Sequence, residues 1–249
     1  VNITSSYSGA DAGNYTVTDQ SSTTADIAAK ALTATASTAN KTYNGATTAS
    51  TTLTFTGLVG SETLGQTVGS TFDNKNVGSN KTVIVNSITL ADGSNGGLAA
   101  NYSISAGQTS NAHISPKSLT VSVNTASNKI YDGNSSATVT VSLSGFIGSE
   151  TLTHTNSSSF NNKNIGAGKT VTVNSIILAD GTNGGLATNY SVTPGQTTTA
   201  NLTAKALTVS GITSSSKTYN GSTSATLDTT SVIYSGLVSG DTFNGTYTG

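Results

Sequence analysis

The side chains that could do chemistry are few, and most recur at fixed intervals. All ten basic residues are lysines, and each has counterparts: Lys30, Lys117 and Lys205; Lys41, Lys129 and Lys217; Lys75 and Lys163; Lys81 and Lys169. One reading is edge protection, because a lysine on an exposed strand discourages pairing between identical sheets. The other is a lysine–asparagine isopeptide bond promoted by a nearby buried carboxylate. Glu62 and Glu150, 150 − 62 = 88 residues apart, are the candidate acids. That chemistry needs a desolvated lysine of lowered pKa. Asp92 and Asp180 open glycine-rich loops, Asp92-Gly93-Ser94-Asn95-Gly96-Gly97 and Asp180-Gly181-Thr182-Asn183-Gly184-Gly185, that offer oxygen ligands to calcium. A calcium cage takes six or more oxygens and usually several carboxylates, so a plain turn is the simpler reading of loops with one Asp each.

His113 and His154 are the only histidines and occupy unrelated positions in the pattern. Neither has a carboxylate paired with it, and no Gly-x-Ser-x-Gly nucleophile motif is present. The expectation is a protein without catalytic residues and without a cofactor. Asn-x-Ser/Thr sequons such as Asn14-Tyr15-Thr16 and Asn201-Leu202-Thr203 leave glycosylation open.

The clearest repeated element is Lys41-Thr42-Tyr43-Asn44-Gly45, which returns as Lys129-Ile130-Tyr131-Asp132-Gly133 and Lys217-Thr218-Tyr219-Asn220-Gly221. The spacing is constant, 129 − 41 = 88 and 217 − 129 = 88. Asn-Gly and Asp-Gly favour type I′ turns, which makes Gly45, Gly133 and Gly221 positive-φ residues of a reversal between strands. Tyr43, Tyr131 and Tyr219 are expected to cover the end of a thin core, with the hydroxyl on a backbone partner or water. A five-residue element at so long a fixed period means tandem domains.

Composition limits what those domains can be. Ser and Thr form about a third of the 249 residues, 34% are hydrophobic and only 8% charged. That is too little for a thick core but enough for thin sandwiches of Thr, Val, Ile, Leu and Tyr. The formal net charge of −1 and the regular apolar alternation argue against disorder. With no Arg and no basic surplus, nucleic-acid binding has no electrostatic basis. The chain has no cysteine and therefore no disulfide framework, which fits exported bacterial chains as well as cytosolic ones. No apolar run reaches membrane-spanning length and the first residues lack a signal-peptide pattern, so any export signal or anchor is expected outside this segment.

The boundaries follow the period. Residues 1–29 read as the C-terminal part of a repeat, 30–116 and 117–204 as complete repeats, and 205–249 as the N-terminal part of another. In the second repeat the alternating runs predict strands at 119–123, 137–143, 150–155, 169–178, 190–193 and 198–202. Six or seven short strands without a helical period predict an all-β fold of small immunoglobulin-like sandwiches. At the join Asn111-Ala112-His113-Ile114-Ser115-Pro116-Lys117 there is no flexible linker. Pro116 fixes its own φ and extends Ser115, which favours an elongated rod.

Taken together, Lys-x-Tyr-[Asn/Asp]-Gly, Phe72-Asp73-Asn74-Lys75-Asn76-Val77-Gly78 with its copy at 160–166, Gly-x-x-x-Asn-Tyr and the Lys-x-Leu-Thr restart resemble the YDG repeat of bacterial filamentous-haemagglutinin-like adhesins. The resemblance spans the whole chain, with Asn replacing the namesake Asp in two of three copies. It implies an extracellular, cell-surface location, a role as stalk or fibre, and no catalytic residues. The partners it implies are neighbouring repeats of the same chain, with adhesion to glycans, host or biofilm surfaces belonging to the larger protein.

Two other readings stay open. A glycan-binding module would expose its tyrosines side by side on one face, whereas a stalk would bury Tyr43, Tyr131 and Tyr219. A filament subunit would complete its tail, 205–249, with the head, 1–29, of the next molecule by β-strand addition, or associate laterally.

Overall fold

A computed structural model describes residues Val1–Gly249. The chain is all-β, interrupted only by three single-turn 3-10 segments at Ala12–Asn14, Ala99–Asn101 and Ala187–Asn189. No helix is long and apolar enough to cross a membrane. The chain divides into two compact units, Val1–Lys41 with Ala46–Ile114, and Thr42–Gly45 with Ser115–Gly249.

The first repeat contains β1 (Thr33–Thr38), β2 (Lys41–Thr42), β3 (Thr51–Thr56), β4 (Leu64–Phe72), β5 (Gly78–Asp92) and β6 (Thr109–Ser115). β1 and β3 form a two-stranded antiparallel sheet, and the others a four-stranded sheet in the order β2-β6-β5-β4. The second repeat follows the same plan with β7 (Thr120–Ala126), β8 (Lys129–Ile130), β9 (Ser136–Ala137), β10 (Val139–Ser144), β11 (Leu152–Phe160), β12 (Gly166–Asp180) and β13 (Thr197–Thr203). Here β7 pairs with β10, and the larger sheet runs β8-β13-β12-β11-β9. In the third copy the longest ladder joins β14 (Thr208–Ser210) to β15 (Ile233–Ser235).

Alternation with period two builds the core, because successive side chains of a strand face opposite ways. In the second repeat Val139 and Val141 of β10 meet Phe160, Val171, Val173, Ala200 and Leu202 from the larger sheet, with Val121 and Val123 of β7 packed against them. The two sheets therefore share one apolar layer, as in a β-sandwich. Each fully buried side chain of this size contributes roughly 1.5–3 kcal/mol, so a core of seven residues with a few half-buried neighbours is thin but sufficient in kind.

Two segments differ from the sequence expectation. β11 begins after Glu150 and continues through Ser157-Ser158-Ser159 to Phe160, well past the expected end at residue 155. Ser158 and Phe160 are both buried, so the inward alternation persists, but a small polar residue hides it. Lys129–Ile130, read as part of a turn, is a short strand parallel to Leu202–Thr203 at the sheet edge.

Candidate functional site

The repeated turn is assembled by its own lysine. Lys41 Nζ donates to the carbonyls of Ala46 at 2.6 Å and Thr48 at 2.9 Å. Lys129 does the same to Asn134 at 3.2 Å and Ser136 at 2.9 Å, and Lys217 to Ser222 at 2.8 Å and Ser224 at 2.6 Å. In all three copies the acceptors lie five and seven residues on. In the second repeat the ammonium thus ties β8 to the start of β9, strands at opposite ends of the five-stranded order, and the Tyr-Asp-Gly stretch passes between those edges. Burial lowers the Lys41 pKa. The Asp132 carboxyl, 2.8 Å from Lys129 Nζ, is held below its usual range chiefly by that hydrogen bond.

The turn is not type I′. Gly45, Gly133 and Gly221 have φ of 77°, 87° and 79°, but the non-glycine residues at positive φ are Asn80, Asn95 and Asn183, which leaves out Asn44, Asp132 and Asn220. The Asn/Asp side chain instead closes a local ring. Asp132 Oδ1 accepts from Asn134 N at 3.2 Å, and Asn220 Oδ1 from Ser222 N at 3.2 Å. Both residue types present that oxygen, which accounts for their exchange between copies.

The tyrosine hydroxyl finds a carboxylate far along the chain, at Glu150 for Tyr43 and at Asp241 for Tyr131, and the Tyr131 ring also packs against the core of the second repeat. Tyr43, 1% exposed, donates its hydroxyl to Glu150 Oε1 at 2.7 Å within the second unit. Tyr190 donates to Oε2 of the same carboxylate at 2.6 Å and accepts from Ile147 N at 3.0 Å. The rings of Tyr43 and Tyr190 meet edge to face at 5.5 Å, and Phe146 meets Tyr190 in the same way at 5.5 Å. Glu150 is only 7% exposed, so two phenols take the place of water around a buried charge. Burial, then the hydrogen bond to Glu150, pushes the Tyr190 pKa up to about 12. Gly45 lies against the same loop, where a Cβ on it would stand 2.7 Å from Ile147 Cγ2.

The arrangement recurs. Tyr131, half-buried, donates to Asp241 Oδ2 at 2.7 Å, and that hydrogen bond raises its pKa. A Cβ on Gly133 would stand 2.7 Å from Val238 Cγ1, in step with Gly45 and Ile147. Tyr219 differs. It is 92% exposed, contrary to the expectation that all three turn tyrosines are buried. In the other two copies the hydroxyl meets a carboxylate more than a hundred residues further on, Glu150 for Tyr43 and Asp241 for Tyr131.

The remaining candidate residues have other work. Asp92 Oδ1 accepts from Ala99 N at 2.7 Å and Asp180 Oδ1 from Ala187 N at 2.7 Å, so each carboxylate closes its own loop at the start of a 3-10 turn. In these loops a Cβ on Gly97 or Gly185 would come within 1.9 or 2.0 Å of the Thr63 or Thr151 carbonyl oxygen, and only glycine fits. Glu62 and Glu150, the candidate isopeptide acids, hold tyrosines. Lysine–asparagine contacts lie elsewhere, at Lys81 and Asn74 Oδ1, 2.9 Å, and Lys169 and Asn162 Oδ1, 2.6 Å. Lys81 also meets Asp73 at 2.7 Å, and its hydrogen bond lowers the Asp73 pKa. His113 is exposed on β6 and His154 half-buried on β11.

Sequence reasoning missed the acceptor half of the socket. Its signal was present: Glu62 and Glu150 share the 88-residue period, as do Tyr102 and Tyr190, 190 − 102 = 88.

An all-β chain that repeats one strand plan, one lysine-clipped turn and one tyrosine–carboxylate contact is a tandem-repeat protein. The YDG domain family matches residues 28–111, 115–200 and 203–249, and the chain belongs to that family. No curated protein and no solved structure matches it.

Proposed function

We propose that the chain is a stalk or fibre segment of an exported bacterial surface protein of the filamentous-haemagglutinin-like adhesin type. In this reading its repeats are immunoglobulin-like sandwiches set end to end as a rod that carries a binding region away from the cell. The observation that carries the proposal is the seating of Tyr43 on Glu150 and Tyr190, repeated by Tyr131 on Asp241. A turn whose aromatic side chain is covered by residues more than a hundred positions further on ties distant parts of the chain together, which suits a structural role in extension. The direct passage from β6 through Pro116 into the Lys117–Ser118 ladder adds to it, since proline stiffens an extended connection.

The glycan-binding reading asks for exposed tyrosines side by side on one face; of the three turn tyrosines Tyr43 is buried, Tyr131 half-buried and Tyr219 exposed, so they do not form such a set. Screening the chain against immobilised glycans and host matrix proteins separates the two. A stalk segment gives no saturable binding, whereas saturable binding that is lost in Tyr219→Ala would favour the glycan module.

A further inference from the structure

The connection from β4 to β5 in the first repeat gathers an amine, an amide and a carboxylate around one point. Lys81 Nζ, on a side chain 8% exposed, donates to Asn74 Oδ1 at 2.9 Å and lies 2.7 Å from Asp73 Oδ1. The other Asp73 oxygen, Oδ2, accepts from Asn74 Nδ2 at 3.2 Å. The carboxylate thus bridges the lysine nitrogen and the asparagine amide nitrogen. Asn74 Oδ1 also accepts from the Asn76 backbone N–H at 3.0 Å. An ion pair needs only the lysine–aspartate contact. The others place a nucleophile at an amide, a proton carrier between the two nitrogens, and a donor on the oxygen where negative charge would form.

We propose that Lys81 and Asn74 join in an intramolecular isopeptide bond, with Asp73 carrying the protons. The resting pair is ammonium and carboxylate, since the Lys81 hydrogen bond lowers the Asp73 pKa. Asp73 Oδ1 takes a proton from Lys81, and the freed electron pair on Nζ attacks Asn74 Cγ. As the Nζ–Cγ bond forms, a carbonyl electron pair moves onto Oδ1, where the Asn76 N–H meets the charge. Asp73 passes its proton to Nδ2 and Nζ gives up a second one. The Cγ–Nδ2 bond then breaks with its electron pair on nitrogen, which leaves as ammonium. Nζ loses two protons and the leaving nitrogen gains two, so Asp73 ends as the carboxylate it began as, and nothing is oxidised or reduced. The proposal stands on this one connection, whether or not the chain serves as a stalk.

The second repeat supplies the contrast. Lys169 Nζ donates to Asn162 Oδ1 at 2.6 Å, and Asn164 N donates to the same oxygen at 3.0 Å. Residue 161, however, is asparagine where the first repeat has Asp73. A neutral amide does not take a proton from an ammonium, so the bond is expected in the first repeat and not in the second.

Peptide mapping of the purified full chain tests it. Trypsin cuts after Lys41, Lys75, Lys81 and Lys117, but not after a Lys81 held in an amide. The expected product is residues 42–75 joined to residues 76–117, lighter by one ammonia than the two linear peptides, while residues 164–169 are released as a linear peptide. Fragmentation places the branch, which separates it from a succinimide at an Asn-Gly step that loses the same ammonia without joining two peptides. Asp73→Asn copies the second repeat and is expected to slow closure by about a hundredfold, as for loss of a general acid–base group. Asn161→Asp copies the first and is expected to join residues 130–163 to residues 164–205. A wild-type digest with linear 76–81 and no branch overturns the proposal. So does a branch lighter by one water, which would put the bond on Asp73 itself, or a branch that forms equally in Asp73→Asn. An Asn161→Asp chain that stays linear overturns the role given to Asp73, because that carboxylate is the contact the second repeat lacks.

Discussion

The hydroxyl of Tyr43 reaches Glu150 Oε1, 107 residues further along the chain, at 2.7 Å, and the same carboxylate takes Tyr190 on its other oxygen. A buried carboxylate keeps its charge only while donors surround it. Tyr43→Phe keeps the ring and removes one donor, so it should destabilise the second unit by about 1–3 kcal/mol. Urea unfolding of Tyr43→Phe, Glu150→Gln and the double variant should show coupling, the double variant being less destabilised than the sum. Additive effects would mean that the two groups do not meet.

The lysine clip makes a separate prediction. Lys129→Met keeps much of the side chain's length but leaves the Asn134 and Ser136 carbonyls and the Asp132 carboxylate without their cation. A loss of about 1.5–3 kcal/mol is expected from hydrogen bonds to a charged group. Lys163 is the contrast, 52% exposed and 3.8 Å from Asp241. Lys163→Ala should change stability by less than about 1 kcal/mol, as for surface ion pairs generally. Equal effects of the two substitutions in thermal melts would contradict the clip.

Gly133 combines a φ of 87° with a Cβ position 2.7 Å from Val238 Cγ1. Gly133→Val should therefore cost about 1–3 kcal/mol through backbone strain and steric conflict. An unchanged denaturant midpoint would refute that role for the turn.

The pH response follows from the direction of the Tyr190 shift. Its pKa rises from 10.0 to about 12 in the folded chain, so the fold favours the neutral phenol. Stability from this group is whole below pH 10.0 and is lost as pH climbs through about 12, where a phenolate would face the Glu150 carboxylate. Tyr190→Phe starts lower but should lose less stability over that window. Phenolate absorbance during an alkaline titration should also lose one late-ionising component. A wild-type titration with no late component would contradict the buried pair.

Much of the repeated turn was legible in the sequence, and the limits have a physical origin. The Lys-x-Tyr-[Asn/Asp]-Gly elements, their period and the all-β pattern could be read because turn glycines and strand alternation leave local signals. The lysine's acceptors could not, since backbone carbonyls carry no side-chain signature. Tyr43 was read as an anchor for its own repeat because nothing local shows that its cover is Glu150 and Tyr190. Ser157, Ser158 and Ser159 concealed half of β11, because a buried serine inside a strand looks like a loop residue until its neighbours are known.

If the seated tyrosine fixes successive repeats end to end, small-angle scattering of the full 249-residue chain should give the pair-distance distribution of a rod. Each complete repeat should add roughly 40 Å, given long strands rising about 3.3 Å per residue. Tyr43→Ala should broaden that distribution while the core strands remain. A compact, near-spherical profile, or a wild-type distribution as broad as that of Tyr43→Ala, would contradict the end-to-end joint.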